Sequence, residues 1–276
     1  MNPISNCFIE CNKNFDDSEI VIIGIPYDGT SSYRPGSRFA PDEIRKASYG
    51  LETFSPIQNK DLLDKNICDI GDLELSFGNK LDILKKIEIE IDKIIHQNKK
   101  ILSIGGEHLI TYPIIKSYLK KYPDLFLIHF DAHADLRDDY LGENLSHATV
   151  IRRISELIGL NRIFQYGIRS GTKEEFDIIR NNNLLNRDLN KVKNIIGDTP
   201  VYITVDLDIL DPSVFPGTGT PEPGGISFNS LINKLHILSE LNIVGCDVVE
   251  LAPDYDPSKV STIVAAKIIR ELLIFI

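Results

Sequence analysis

The sequence predicts an α/β protein organised around a mostly parallel sheet, and three observations predict it. Short β-branched runs alternate with longer amphipathic ones along all 276 residues, which implies right-handed crossovers between parallel strands. The composition, 42% hydrophobic and 25% charged, suffices for a full core. No low-complexity linker and no internal repeat interrupts the pattern, so residues 1–276 read as a single domain.

Strands are expected at 20–26 (IVIIGIP), 65–71 (KNICDIG), 100–106 (KILSIGG), 125–131 (LFLIHFD), 162–168 (RIFQYGI), 200–208 (PVYITVDLD) and 242–251 (NIVGCDVVEL). Helices fill the gaps. Pro41 opens one that runs to Ser48, at the position where proline is tolerated. Lys80 to Gln97 carries Leu and Ile at a 3.6-residue period. Others are expected near 109–121, 147–158, 173–181, 227–241 and 258–273.

A formal charge of −10 argues against a nucleic-acid or anionic-membrane partner, since either requires a basic face. It is compatible with a cationic ligand, and equally with simple solubility. Cys7, Cys11, Cys68 and Cys246 form no zinc spacing and suggest a reducing compartment. No basic segment followed by an apolar stretch opens the chain, and LLIFI at its end is too short to span a bilayer. The expectation is a cytoplasmic protein.

Polar residues gather at the carboxyl ends of the strands, the side of an open α/β sheet where ligands bind. KILSIGG leads into Glu107 and His108, LFLIHF into Asp131, His133 and Asp135, PVYITV into Asp206 and Asp208, and NIVGCDVV into Glu250. Carboxylates brought together repel one another and resist leaving water. Solvent, basic side chains or cations must compensate them. The apolar flanks argue against full hydration, and Arg137 is the one basic residue within DAHADLRDDY. Two divalent cations would match the charges of Asp131, Asp135, Asp206 and Asp208, and a pair ~3.5–4 Å apart is a recognised hydrolytic arrangement. Carboxylate and imidazole ligands without thiolate suit Mn²⁺ better than a structural zinc.

Each piece alone has a plainer reading. DLD can be a strand-end turn, His108 a satisfied turn histidine and Glu250 an ordinary buried glutamate, while DAHADLRDDYLG lacks the Gly and Glu of a calcium loop. Their arrival at one edge favours the metal site. His129, inside a strand, reads as a packed or supporting residue, and His96 and His236 as helix-surface residues. His147 in NLSHAT has two readings: a helix-start residue behind Ser146, or a proton shuttle that titrates near neutrality.

Taken together, GGEH (105–108), DAHAD (131–135), VDLDILDP (205–212) with its trailing GTGTPEPGG, and DVVEL (247–251) resemble the ureohydrolases, the arginase and agmatinase superfamily. The resemblance runs from about residue 20 to the C-terminus, and GIPYDGTSSYRPGSRFAPDEIRKAS (24–48) is similar to agmatinases in particular. It implies a three-layer α/β/α sandwich with a roughly eight-stranded sheet and two Mn²⁺ ions per chain. By position, His108, Asp131, Asp135 and Asp206 correspond to the ligands of one ion. Asp131, His133, Asp206 and Asp208 correspond to those of the other, with Asp131 and Asp206 bridging. His147 falls where the family has its general acid/base, and Glu250 where it has the carboxylate facing the guanidinium. Asp135 would pass the nucleophile's proton to the departing amine. A trimer or hexamer is also implied. Ala148 stands where many members have Gly, and Glu107 where arginases usually have Asp; neither removes a ligand.

The reaction so implied is hydrolysis of a guanidino group to urea and an amine. Agmatine, giving putrescine, is the expected small cationic substrate. Asp138, Asp139 and Glu143 beside the single Arg137 give an acidic rim that suits an amine tail, although a solvated acidic loop explains them equally well. Guanidinobutyrate, arginine, or a non-catalytic metal-binding role are the alternatives. A phosphoesterase would need further Gly-Asp and Gly-Asn-His segments, and a dehydrogenase a G-x-G-x-x-G after the first strand; the chain has neither.

Overall fold

A parallel strand covered on both faces has no polar side, so the inner strands form where aliphatic residues dominate, while the edge strand Ile67–Asp72 (ICDIGD) alternates half-buried and exposed residues after its first two. In the computed structural model, which describes residues 7–185 and 188–276, the strands are β1 (Ile20–Ile25), β4 (Ile67–Asp72), β5 (Lys100–Gly105), β6 (Phe126–Phe130), β7 (Ile163–Tyr166), β8 (Val201–Asp206) and β9 (Ile243–Val249). A two-stranded hairpin, β2 (Phe54–Ser55) and β3 (Lys60–Asp61), stands apart from them. The seven strands form one sheet in the order β4-β1-β5-β9-β8-β6-β7, and every pairing is parallel.

All seven strands match the apolar runs in the sequence. The eighth implied by the resemblance is not present as a strand among the described residues. Among the described residues, the sheet continues beyond β7 as a parallel bridge between Gln165 and Leu185, where the Gln165 N–H donates to the Leu184 carbonyl at 2.9 Å. No apolar run precedes Leu185 to extend that pairing, which is why the residues alone pointed to seven.

Helices cover both faces. Those on one side are α1 (Ala40–Ser48), α6 (Leu189–Ile196), α7 (Phe228–Leu238) and α8 (Val260–Phe275). Those on the other are α2 (Lys80–Ile95), α3 (Thr111–Lys121), α4 (Val150–Ile158) and α5 (Lys173–Asn182). Capping residues set several boundaries. Asn79 accepts from the Leu81 N–H ahead of α2, Thr172 and Glu175 form a reciprocal box at α5, and Asn183 ends α5 in the left-handed conformation. Eight-residue α6, capped by Asp188, was not expected from the sequence because its apolar stripe is barely two turns long. The hairpin was also missed. Its two-residue strands depend on α8, where buried Glu271 accepts from Ser55 Oγ at 2.7 Å and Arg270 Nη1 donates to the Phe54 carbonyl at 2.7 Å.

Two helices start later than expected, and the difference matters. The turns His108–Ile110 and His147–Thr149 are 3₁₀ segments that lead into α3 and α4. Each places its histidine at the sheet's carboxyl edge instead of on a helix flank. The strand order has a second consequence: β5, β9, β8 and β6 are consecutive in the sheet. Residues from positions 107 to 250 are thereby brought to adjacent strand ends.

A cluster of charges holds α2 against α3. Glu88 is 5% exposed and takes the ammonium groups of Lys116 at 2.9 Å and Lys120 at 2.8 Å. Burial pushes its carboxyl up, but the two lysines outweigh burial and lower it to about 2. A carboxyl lowered by folding adds stability above its unfolded value, and that stability is lost as pH falls toward the folded one. Glu88→Gln should therefore cost about 1–2 kcal/mol at pH 7 and progressively less below pH ~4.5. Urea unfolding of both proteins between pH 2.5 and 7 checks this.

Candidate metal centre and active site

Backbone N–H groups orient four of the strand-end acids. Asp131 Oδ1 accepts from the His133 N–H at 2.5 Å, Asp206 Oδ1 from the Asp208 N–H at 2.9 Å and Asp208 Oδ1 from the Ala132 N–H at 3.0 Å. Glu250 Oε1 accepts from the His108 N–H at 2.8 Å. Two of the strand-end acids have left-handed backbones, Asp135 with φ 53° and Glu250 with φ 67°. Non-glycine residues in that region cost of order 1–3 kcal/mol each, and such strain collects at functional sites. Gly106 in GGEH has a steric reason: a Cβ there would lie 1.8 Å from the Tyr27 carbonyl oxygen.

The donor atoms converge. His108 Nδ1 lies 3.0 Å from Asp131 Oδ2, 3.1 Å from Asp135 Oδ2 and 3.5 Å from Asp206 Oδ2. Although these atoms are within reach, His108 Nδ1 is fully buried and makes no aligned hydrogen bond with any of them. Lone pairs that face a common centre instead of one another are what ligands around a cation do. A second group, Asp131, His133 and Asp208, shares Asp131 with the first, and His133 Nδ1 is 2.9 Å from Asp208 Oδ2. Among the described residues no lysine or arginine pairs with Asp131, Asp135, Asp206 or Asp208, so the donor set fits two cations with a bridging carboxylate.

The titration behaviour reflects the same charge deficit. Burial, then Asp131, pushes Asp135 up to about 7, and burial with Asp208 and Asp131 holds Asp206 well above its usual range. Burial would lower His133, but Asp208 and Asp131 raise it to about 12. Asp131 goes the other way: burial is outweighed by His129 and His108, which hold it well below the usual carboxylate range.

His129 is close enough to count as a ligand, but both its nitrogens are engaged. Nε2 bonds Asp131 Oδ2 at 2.8 Å while Nδ1 meets Gln165 Nε2 at 3.1 Å. It orients the Asp131 carboxylate, in keeping with the supporting role the sequence suggested. His108 is fixed by residues that the sequence reading missed. Its Nε2 lies 2.9 Å from Thr204 Oγ1, and Thr204 donates to Asp247 Oδ1 at 2.6 Å. Fully buried Asp247 also accepts from Thr111 Oγ1 and Tyr202 Oη, both at 2.9 Å. The proton on Nε2 leaves Nδ1 as the lone pair that points into the cluster. The available signal was an aspartate in the middle of an apolar strand, NIVGCDVV.

A cavity of about 210 Å³ opens over the cluster and is lined by His147, Glu250, Arg137, Tyr140, Ser170 and Thr220 among others. Burial lowers His147 to about 4, so its imidazole is neutral near pH 7. The acidic rim expected from Asp138, Asp139 and Glu143 is corrected by the structure. Asp138 pairs with Arg153 at 2.5 Å and Glu143 pairs with Lys80, so bases from α4 and α2 neutralise two of the three. Arg137 is instead drawn to Glu175, its Nε 3.6 Å from that carboxylate.

Comparison with known proteins places this geometry in a family. The Arginase family matches residues 18–275. The chain belongs to the arginase family. The agmatinase of Bacillus subtilis (strain 168) is 46% identical over 275 residues, covering 97% of this chain and 95% of that protein. The crystal structure of a candidate agmatinase from Clostridium difficile superposes with a TM-score of 0.91 at 49% identity, over 95% of this chain and 98% of that one. Proclavaminate amidino hydrolase of Streptomyces clavuligerus superposes at 0.90 with 30% identity, over 99% and 98%.

Two outcomes are expected. Thr204→Val removes the acceptor that fixes His108 and should weaken metal binding about 10- to 100-fold, measured by competition with a chromophoric chelator. Raised groups such as His133 and Asp135 must shed protons before they bind a cation. Affinity should accordingly rise with pH from 5 to 8 with net proton release, read by calorimetry in buffers of different ionisation enthalpy.

Proposed function

We propose that this ureohydrolase hydrolyses agmatine to putrescine and urea, with two Mn²⁺ ions held by His108, Asp131, Asp135 and Asp206 and by Asp131, His133, Asp206 and Asp208. The observation that carries the reading is the convergence of these donor atoms under a small cavity, in a chain 46% identical to an agmatinase over almost its whole length. A dication pair, when bound, lowers the pKa of an associated water so that hydroxide is available near neutral pH. The remaining work falls to the chain. Glu250, fixed through the His108 N–H, holds the guanidinium by a charge-assisted pair and presents its carbon to the nucleophile. Asp135 accepts the nucleophile's proton and passes it to the departing amine. His147, neutral at rest, moves protons between the site and solvent. The same reading takes residues 1–276 as one domain of a cytoplasmic homotrimer or hexamer, as the family resemblance implies.

Arg137 in the cavity favours a second reading, in which the tail is a carboxylate, as in guanidinobutyrate or arginine. Its attraction to Glu175 and its place over the Tyr140 ring, 4.9 Å from the centroid, weigh against an unengaged anion receptor.

Urea release from Mn²⁺-loaded protein should be fastest with agmatine. Faster release from guanidinobutyrate or arginine would move the substrate to the second reading, and none from any guanidine would indicate a non-catalytic homologue. Asp206→Asn should lose both metal and turnover. His147→Ala should keep its metal by elemental analysis while turnover falls about 10²-fold.

A further inference from the structure

His147 lies in a hydrogen-bond frame whose outer members determine its direction. Glu107 accepts from Thr30 twice, from the backbone N–H at 2.8 Å and from the hydroxyl at 2.5 Å. With its proton given to Glu107, Thr30 Oγ1 can only accept. It takes the His147 backbone N–H at 3.0 Å and lies 3.4 Å from Nδ1. On the opposite side of the ring, the Tyr140 hydroxyl donates to Ser32 Oγ at 3.2 Å, and Ser32 Oγ is 3.3 Å from His147 Nε2. Every donor is satisfied when Nδ1 carries the ring proton and Nε2 accepts from Ser32. Tyr140 is held in place, edge-on to the His147 ring at 5.5 Å and beneath the Arg137 guanidinium.

Ser32 and Tyr140 are also the residues shared by two cavities. One is the active-site cavity; the other, about 540 Å³, lies outside it against Tyr27, Phe77 and Lys80. We propose that Ser32 and Tyr140 conduct protons between His147 Nε2 and this outer cavity. The inference rests on the shuttle role of His147. Inward, a buffer acid gives a proton to Tyr140 Oη as the Tyr140 proton passes to Ser32 Oγ and the Ser32 proton to Nε2. Each hydroxyl gains one proton and gives one, and after Asp135 has protonated the departing nitrogen, the imidazolium so formed supplies the further proton that makes the free amine an ammonium. Rotation of both hydroxyls reverses the path.

Tyr140→Phe keeps the ring and removes the relay atom; Ser32→Ala breaks the path one step further in. For each, kcat at low buffer concentration should fall about tenfold, with KM for agmatine within about twofold, and added imidazole should restore the rate. In the metal-free protein, ¹⁵N spectra of His147 should report protonation at Nδ1, and Ser32→Ala should mix the tautomers. Unchanged kcat in both variants, a loss that imidazole does not rescue, or mixed tautomers in the parent protein would overturn the relay. A fully active His147→Ala protein would instead remove the shuttle itself. A slow His147→Ala protein beside an unimpaired Tyr140→Phe protein would reject the relay alone.

Discussion

Buried carboxylates without basic partners are the constraint on which the rest of this structure depends. Asp131, Asp135, Asp206 and Asp208 are all at most 6% exposed, and the only cationic groups within ion-pair distance of them, among the described residues, are histidines. Their mutual repulsion in a medium poorer than water is worth several kcal/mol. Such a cluster persists only if positive charge is supplied from outside the protein's own side chains. Protons can supply part of it, as the raised Asp135 and His133 indicate. Cations supply it without occupying the lone pairs against one another.

That constraint explains the surrounding hydrogen-bond directions. A carboxylate or imidazole that must aim a lone pair at one point needs its other atoms tied down. Backbone N–H groups do this for Asp131, Asp206, Asp208 and Glu250, whereas Thr204 and Asp247 do it for His108. The left-handed backbones at Asp135 and Glu250 serve the same end. Non-glycine residues in that region store strain, and at Glu250 the bond from the His108 N–H holds the side chain in place.

The legible part of this architecture is the part written in local pattern. Seven strands and seven of the eight helices follow from apolar periodicity, because tertiary packing there asks for what propensity already favours. The ligand residues were legible for a similar reason: each lies at the end of an apolar run, where the parallel-sheet rule puts a binding crevice. What escaped was decided by partners distant in sequence. The β2–β3 hairpin needs Arg270 and Glu271, more than 200 residues away. Thr204 and Asp247 look like ordinary strand residues until β8 and β9 pair and set Thr204 opposite Asp247. The acidic rim was misjudged because Lys80 and Arg153, which neutralise it, come from helices outside the loop.

The same electrostatics bears on what the site would retain and release. Around the cluster, Glu107 and Glu250 are buried alongside the four aspartates. Two dications would offset four of these six charges, and Glu107 is occupied by Thr30 and Ser31. Of the two charges that remain, Glu250 is the one that lines the cavity and that a ligand can answer. Burial and nearby Glu107 push its carboxyl well above the usual range, and a guanidinium placed beside it would favour the ionised form. Hydrolysis converts that cation into neutral urea at the same spot and moves the positive charge to the amine of the other product. On the role proposed for Glu250, the attraction that would hold the substrate is thereby removed by the reaction itself, and urea would leave without competition from the charge that bound its precursor.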